Sequence, residues 1–259
     1  MVRIDPIPDD VALGEIFDEG YFVDGAERGG YADYDADAES HRRNARKRLA
    51  QLPDAPDVSG IDGPPVLVDV GCASGYVLEA ARDKGWEAIG VEVVPEMADR
   101  ARAKGFEVVP QLADVGKRVS ALCMFQVLEH LPDPLQSLRQ AGELAADGAV
   151  LLCETWDASS RIARVMGNRW QQLSPPSVMW VFERTSSDAM LQRAGWRLAD
   201  WRRASKSISV GWGAGLVVAR LPSPFARPAR AVLRPLGGVR LTYGLGDLVA
   251  FSACRDVAR

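Results

Sequence analysis

The chain has 259 residues, nearly half of them apolar (47%) and a quarter charged (25%), with a formal net charge of −4. This is the composition of a globular domain able to bury its own core, and it excludes disordered, collagen-like and disulfide-stapled chains. The acidic balance argues against nucleic acid as a partner, and no apolar run reaches the roughly 18–20 residues that cross a bilayer.

The N-terminal "MVRIDPIPDD" carries no apolar signal core, so a cytoplasmic protein is expected. Cys72, Cys123, Cys153 and Cys254 form no CxxC pair and sit in apolar runs, which reads as reduced, semi-buried thiols. No His/Cys/Asp cluster has metal-site spacing, and no metal is expected. Residues 1–40 carry twelve acids against two arginines. From Ala204 to Gly246 there is no acid, but Lys206, Arg220, Arg227, Arg230, Arg234 and Arg240. This basic stretch could face the acidic head or water, hold an anionic or lipid-linked substrate at a membrane surface, or form a homodimer contact.

Residues 39–52 read as a solvated helix with Leu49 and Leu52 on its apolar side, and 53–65 as a Pro/Gly/Asp-rich linker. "VLVDV" (66–70) is a continuous apolar run of the kind a parallel strand covered on both faces needs. Helices follow from Tyr76 to Lys84 and from Pro95 to Lys104, each stopped by glycine, with the strand "EAIGVEV" between them. "FEVV" and "VSALCMF" are the third and fourth strands, followed by a helix from about Pro134 to Ala145 and a fifth strand in "DGAVLLCET". A helix over Thr185–Ala194 leads to the sixth strand "WRLADWRR", and "DLVAFSACR" (247–255) is the last. Strands alternating with helices imply an α/β fold with a Rossmann-like, doubly wound, mainly parallel sheet. The division expected is a helical head over 1–60 and a core over 61–259, with insertions at about 156–182 and 204–246.

In such a sheet ligands bind beyond the carboxyl ends of the strands. The turn after the first strand is Asp69-Val70-Gly71-Cys72-Ala73-Ser74-Gly75, where glycines allow close backbone approach. Glu92, twenty-one residues after Gly71, stands where a carboxylate can accept both ribose hydroxyls. A dinucleotide fingerprint would need glycine where Ala73 and Tyr76 stand, and no P-loop lysine follows, so a nucleoside without a pyrophosphate remains.

"VDVGCASG" with "GVE" resembles the first two cofactor motifs of class I S-adenosylmethionine-dependent methyltransferases. "FQVLEHLPDP" (125–134) is similar to the small-molecule branch that modifies ubiquinone and sugars. "YFVDGAERGGYADY", "RWQQLSPPSVMWVF" and "LQRAGW" are similar to a bacterial subgroup found with natural-product and polysaccharide pathways. The resemblance covers nearly the whole chain. It implies seven strands in the order 3-2-1-4-5-7-6 with the seventh antiparallel, S-adenosylmethionine as cofactor, and methyl transfer to a small-molecule hydroxyl. A SAM-binding partner protein without catalysis is the alternative. Two departures stand out: Ala73 replaces the middle glycine, and Ser177 follows Pro175-Pro176 where the subgroup often has histidine.

By this resemblance Asp69 orders the turn near the methionine amino group, with Gly71, Cys72, Ala73 and Gly75 forming the turn. Glu92 holds the ribose, and either Gln111 or Asp114 meets the adenine. Phe125 and Gln126 flank the methyl-bearing end. His130 is suited to take a proton from the acceptor, though it could equally pin its loop. Glu129 reads as a loop organiser and Asp157 as a second candidate base. Trp156, Trp170 and Trp180 with Arg161 and Arg169 line an acceptor pocket or pack as a lid. Tyr21, Tyr31 and Tyr34 belong to a head that closes over the cofactor or only packs. His41 is assigned to a charged helix surface.

Overall fold

A computed structural model describes residues 1–23, 33–52, 63–209 and 239–255. Its first elements are β1 (Val2–Arg3), α1 (Asp10–Ile16), α2 (Glu19–Val23), α3 (Ala38–Leu49), β2 (Val66–Val70) and α4 (Tyr76–Asp83). Then come β3 (Glu87–Val91), α5 (Pro95–Ala103), β4 (Glu107–Val109), β5 (Val119–Phe125), α6 (Pro134–Leu144) and β6 (Ala145–Trp156). The last are α7 (Arg161–Met166), β7 (Trp180–Val181), α8 (Arg184–Arg193), β8 (Trp196–Arg203), β9 (Lys206–Ser209), β10 (Arg240–Tyr243) and β11 (Leu248–Arg255). The expected linker lies mostly, the 204–246 insertion largely, and Tyr31 wholly outside the described residues.

All five residues of β2 are buried, and their side chains alternate between two cores. Val66, Val68 and Val70 join Leu122, Met124, Leu138, Phe182, Trp196 and Phe251 on one face. Leu67 points the other way, to Ala121, Cys123 and Leu152, where Val77 and Ala81 of α4 and Ala45 and Leu49 of α3 close the layer. Burial on both faces explains why the strands read as apolar runs rather than as alternating ones.

The seven core strands lie in the order β4-β3-β2-β5-β6-β11-β8. β2 pairs parallel with β3 and β5, whereas β11 runs antiparallel to both β6 and β8. This is the order and the reversed last strand that the resemblance implies. Helix starts follow the local chemistry: Asp133 caps α6 by accepting from Gln136 N at 2.9 Å with Pro134 at the first position, and Ser160 caps α7.

The described residues of the head touch the core at several points. Ala45, Leu49 and Leu52 belong to the same cluster as the central strands, and β1 pairs with β7 in the 156–182 insertion. α3 also holds β9: Asn44 donates Nδ2 to Ser207 O (2.9 Å) and accepts from Ser207 N (2.7 Å). β9 pairs antiparallel with β10.

Candidate active site

The turn after β2 is shaped by close approach. Gly71 has φ +70°, and a Cβ there would stand 2.7 Å from Val127 Cγ2, on the loop after β5. Gly75, at φ +84°, caps α4, and its Cβ would meet that of Ala101 at 3.1 Å. Ala73 takes a positive φ of 46° without being glycine, a conformation that costs free energy and that tertiary contacts must hold. Its N–H donates to Glu92 Oε2 at 2.8 Å, and Val94 N donates to Oε1 at 2.9 Å. The Glu92 carboxylate, immediately after β3, is therefore fixed by backbone amides, and a carboxylate's four lone pairs leave it able to accept from a ligand as well. Burial pushes its pKa up, and the amides of Val94, Ala73 and Val93 work against that rise. Cys72 turns inward, its Sγ filling the space left by Gly90 beside Leu78.

Asp69 is buried at the end of β2, and burial pushes its pKa up to about 8 against the pull of Arg48. Together with Gly71, Cys72, Tyr76, Val77 and Phe125 it lines a cavity of about 40 Å³ roofed by Tyr34, His41 and Arg48. His41 stacks on two aromatic rings, at 4.0 Å on Tyr34 and at 5.3 Å on Tyr76. Burial lowers its pKa to about 4, which keeps the imidazole neutral. The expectation of a surface histidine is thus corrected. The helix that looked merely charged turns His41, Asn44 and Arg48 inward, a polar stripe at i, i+3, i+7 that the sequence does contain.

The head is latched onto the turn through Asp35. Its carboxylate accepts from Ser74 Oγ (2.6 Å), Tyr76 OH (2.7 Å) and Arg100 Nη1 (2.9 Å). Phe17, Phe22 and Tyr34 pack on Ala73, Val94 and Met97, and Tyr21 is buried against Phe17 and Phe22.

Gln111 and Asp114 are both exposed at the short turn after β4, and nothing in their contacts separates them. Phe125 ends β5 with the Arg48 guanidinium 4.9 Å above its ring, and Arg48 also pairs with Glu154. Gln126 has a positive φ of 60°, and its Oε1 accepts from Lys206 Nζ at 3.4 Å. No local signal marked Lys206, because its partners come from β5 and β6.

On the other side of that loop His130 Nδ1 lies 2.6 Å from Ser177 O. A carbonyl only accepts, so Nδ1 carries the proton and the neutral ring keeps its lone pair on Nε2. The residue that replaces the subgroup histidine therefore orients His130 through its main chain. Phe17 meets the ring edge-on at 5.5 Å. Glu129 is buried: Oε2 accepts from Thr155 Oγ1 (2.9 Å), Oε1 meets no hydrogen-bond partner among the described residues, and burial raises its pKa.

Asp157 is occupied differently from a base. Oδ1 accepts from Ser159 N (2.8 Å) and Oγ (2.6 Å), and Oδ2 from Arg203 Nη1 (2.9 Å), the contacts of a loop organiser. Trp156 and Trp170 pack with Val178, Val181 and Leu248, and Trp170 Nε1 donates to Asp247 (3.0 Å). Trp180 is half-buried and donates to Leu131 O (2.8 Å), while Arg161 and Arg169 are exposed. Two of the three tryptophans are core, and the two arginines do not join them.

These features meet known proteins at three levels. A family model described as a methyltransferase domain matches residues 36–200, more than half of the chain. A ubiquinone biosynthesis O-methyltransferase of Cereibacter sphaeroides is 27% identical over 116 residues, 40% of this chain and 47% of that protein. The chain therefore spans about half the length of the curated relatives it matches. The magnesium protoporphyrin IX methyltransferase of Synechocystis PCC 6803, solved with SAH bound, aligns at a TM-score of 0.58 and 16% identity, over 96% of this chain and 100% of that one. The cyclase SpnF aligns at 0.56 and 17% identity, over 84% and 81%. At such identities the structural likeness shows the fold alone. Residues 36–200 take in the glycine turn, Glu92 and the loop after β5, and on that match the chain belongs to the methyltransferase-domain family, the class I S-adenosylmethionine-dependent methyltransferases.

Proposed function

We propose that the protein transfers the methyl group of S-adenosylmethionine to a hydroxyl oxygen of a small molecule, a natural product or a sugar. The observation that carries this reading is His130, held by Ser177 O with Nε2 as the basic atom, on the loop that packs against Gly71. The cofactor, when bound, supplies a methyl group on a positively charged sulfur that leaves without acid assistance.

The residues around the turn suit that ligand. The free lone pairs of Glu92 match ribose hydroxyls, Asp69 suits the ammonium of the methionine end, and the glycine turn admits backbone approach. Gln111 or Asp114 would meet the adenine, with Phe125 and Gln126 at the end of β5. The protein's task is then to align the acceptor and take its proton; orientation alone lowers such barriers by up to about 7–11 kcal/mol in favourable cases. Asp157 keeps a structural role in this reading. Among the described residues no helix is long and apolar enough to cross a membrane.

The test is calorimetric binding of S-adenosylhomocysteine and of NADH, followed by methyl transfer to a panel of phenols, sugars and amines with wild type and His130→Ala. Binding of the former ligand only, with turnover reduced about 10²-fold in the variant, supports the proposal. NADH binding in its place overturns it. Cofactor binding without turnover of any acceptor favours the second reading, a SAM-binding partner protein, which Ser177 at the position after Pro175-Pro176 motivates.

A further inference from the structure

The proposed reaction needs an acceptor beside the carboxyl ends of β5 and β6, because the glycine turn of β2 occupies the neighbouring strand end. Asp247 stands on that edge. It immediately precedes β11, whose first residue, Leu248, pairs with Trp156 at the end of β6. Its main-chain oxygen accepts from Asp157 N at 2.7 Å, which continues the strand pairing by one step and fixes its position.

The carboxyl group is only half used. Asp247 is 1% exposed, and its Oδ2 accepts from Trp170 Nε1 at 3.0 Å. Oδ1 is buried and meets no hydrogen-bond partner among the described residues. The cations of this edge are directed elsewhere: Arg203 Nη1 donates to Asp157 Oδ2 and to Gly246 O, and Lys206 Nζ to Gln126 Oε1. A buried polar atom left without a partner is costly, and more so on an acid than on a neutral group. Among the described residues one other carboxyl oxygen shares that state. It is Glu129 Oε1, on a group that Thr155 Oγ1 already holds and that burial drives toward its neutral form.

Beside Asp247 the wall is apolar and aromatic, with Trp156, Trp170, Val178, Val181 and Leu248 packed together. A lone polar acceptor in such a wall is the composition of a small-molecule pocket. Its outer side is lightly held. Along residues 161–170 only Ala163 and Trp170 are buried, while Arg161, Arg164, Val165, Met166 and Arg169 are exposed. The Trp170–Asp247 hydrogen bond is thus one of few contacts that keep this cover down, and segments with few buried contacts open most readily.

We propose that Asp247 is an acceptor-binding residue: with the cover lifted, Oδ1 accepts a hydrogen bond from the acceptor, which carries a second donor group, a hydroxyl or an amine N–H, beside its reacting hydroxyl. This rests on the methyl-transfer reading above. A carboxylate oxygen only accepts, so the missing partner is a donor, and neither an ether nor an anion fills the place. A donor held there fixes the acceptor's orientation, and with it which of its hydroxyls meets the methyl group.

Matched acceptors test this: cis-cyclohexane-1,2-diol against cyclohexanol, and 2-aminophenol against phenol, each offered to the full chain with S-adenosylmethionine. Wild type is expected to favour the donor-bearing member of a pair in kcat/KM by about tenfold or more, as a hydrogen bond to a charged group can supply. Asp247→Asn can keep the Trp170 contact through its amide oxygen and sets an NH2 group where Oδ1 stood. It should bring that ratio to about one while binding S-adenosylhomocysteine as wild type does. Trp170→Phe, which removes only the contact to Oδ2, should keep the ratio. A wild type that treats both members of every pair alike overturns the proposal, whichever variants fold. An Asp247→Asn that slows both members equally, with the preference intact, leaves Asp247 a structural role and overturns it too. A wild type that binds S-adenosylhomocysteine but methylates no member of any pair would instead overturn the methyl-transfer reading on which the proposal rests.

Discussion

The carboxyl edge of the sheet has two halves that are put together by different means. On the β2–β3 side Asp69, Gly71, Ala73, Gly75 and Glu92 lie within one strand–turn–helix–strand unit, and their contacts are short and mostly to backbone. On the β5–β6 side Gln126 and His130, Asp157, and Lys206 come from three separate segments, and each meets a partner far away in the chain. His130 is oriented by Ser177, Asp157 by Arg203, and Gln126 by Lys206. In the proposed reading the first half is a local device for a ligand that a whole family shares. The second is an assembly whose parts can be exchanged one at a time, which is how one fold serves many acceptors.

The strongest way to break this comparison is Glu92→Ala. It removes the ribose acceptor and frees two amides, and should weaken S-adenosylhomocysteine binding by about 100-fold or more in calorimetry, given roughly 1.5–3 kcal/mol for each charged hydrogen bond. Little change would mean that the β2–β3 half is not the cofactor half. Gly71→Ala meets both a positive φ and the Val127 side chain. A loss of about 1–3 kcal/mol in stability is expected, seen as a thermal midpoint lower by several degrees, with cofactor binding impaired as well.

Asp35→Ala tests whether the head is a removable cover. S-adenosylhomocysteine affinity should fall by roughly fivefold while the core unfolds as before, because the latch contacts are partly exposed and each contributes modestly. The Ser74, Tyr76 and Arg100 contacts hold the Asp35 pKa below its ordinary value despite burial. The latch is therefore complete above the ordinary carboxylate range and loosens as pH falls through the lowered value. Fluorescence of the head against pH would show this, and no change on acidification would exclude an ionic latch.

The smallest expected effect is a proton count. Asp69 has its pKa raised to about 8, so what it contributes to stability is present at low pH and lost as pH rises through that value. A ligand ammonium at Asp69 should restore the charged form and release up to about one proton per ligand near pH 7. Calorimetry in buffers of different ionisation enthalpy measures that release, and Asp69→Asn should abolish it. An unchanged release in the variant would move the ammonium away from Asp69.

The succession of strands and helices and the glycine turn were legible because each rests on short-range pattern: apolar runs of strand length, helices with proline at the start and glycine at the stop, and two glycines before an acid at the end of the next strand; the strand order came only through the family resemblance. Elements of the core end within a residue or two of where those signals place them. What was not legible shares a cause. His41 looked like one more residue of a solvated, arginine-rich helix, yet the two tyrosines it stacks on come from the head and from the start of α4. Trp156 and Trp170 were open between pocket wall and packed lid, because a tryptophan in a loop reads the same whether its neighbours are a ligand or Leu248.

The sequence alone therefore determined the α/β succession of elements and, through the resemblance of its motifs, the strand order and the class of cofactor, since strand and helix periodicity and turn chemistry act over a few residues; Glu92 and the turn are where the proposed reading seats that cofactor. Only the tertiary structure decided that Ser177 fixes the tautomer of His130, that Asp157 is tied to Arg203, and that Lys206 reaches Gln126. The physical reason is that burial and charge pairing depend on what packs against a side chain, and here the partners lie 46 to 80 positions apart, brought together by strand order rather than by spacing.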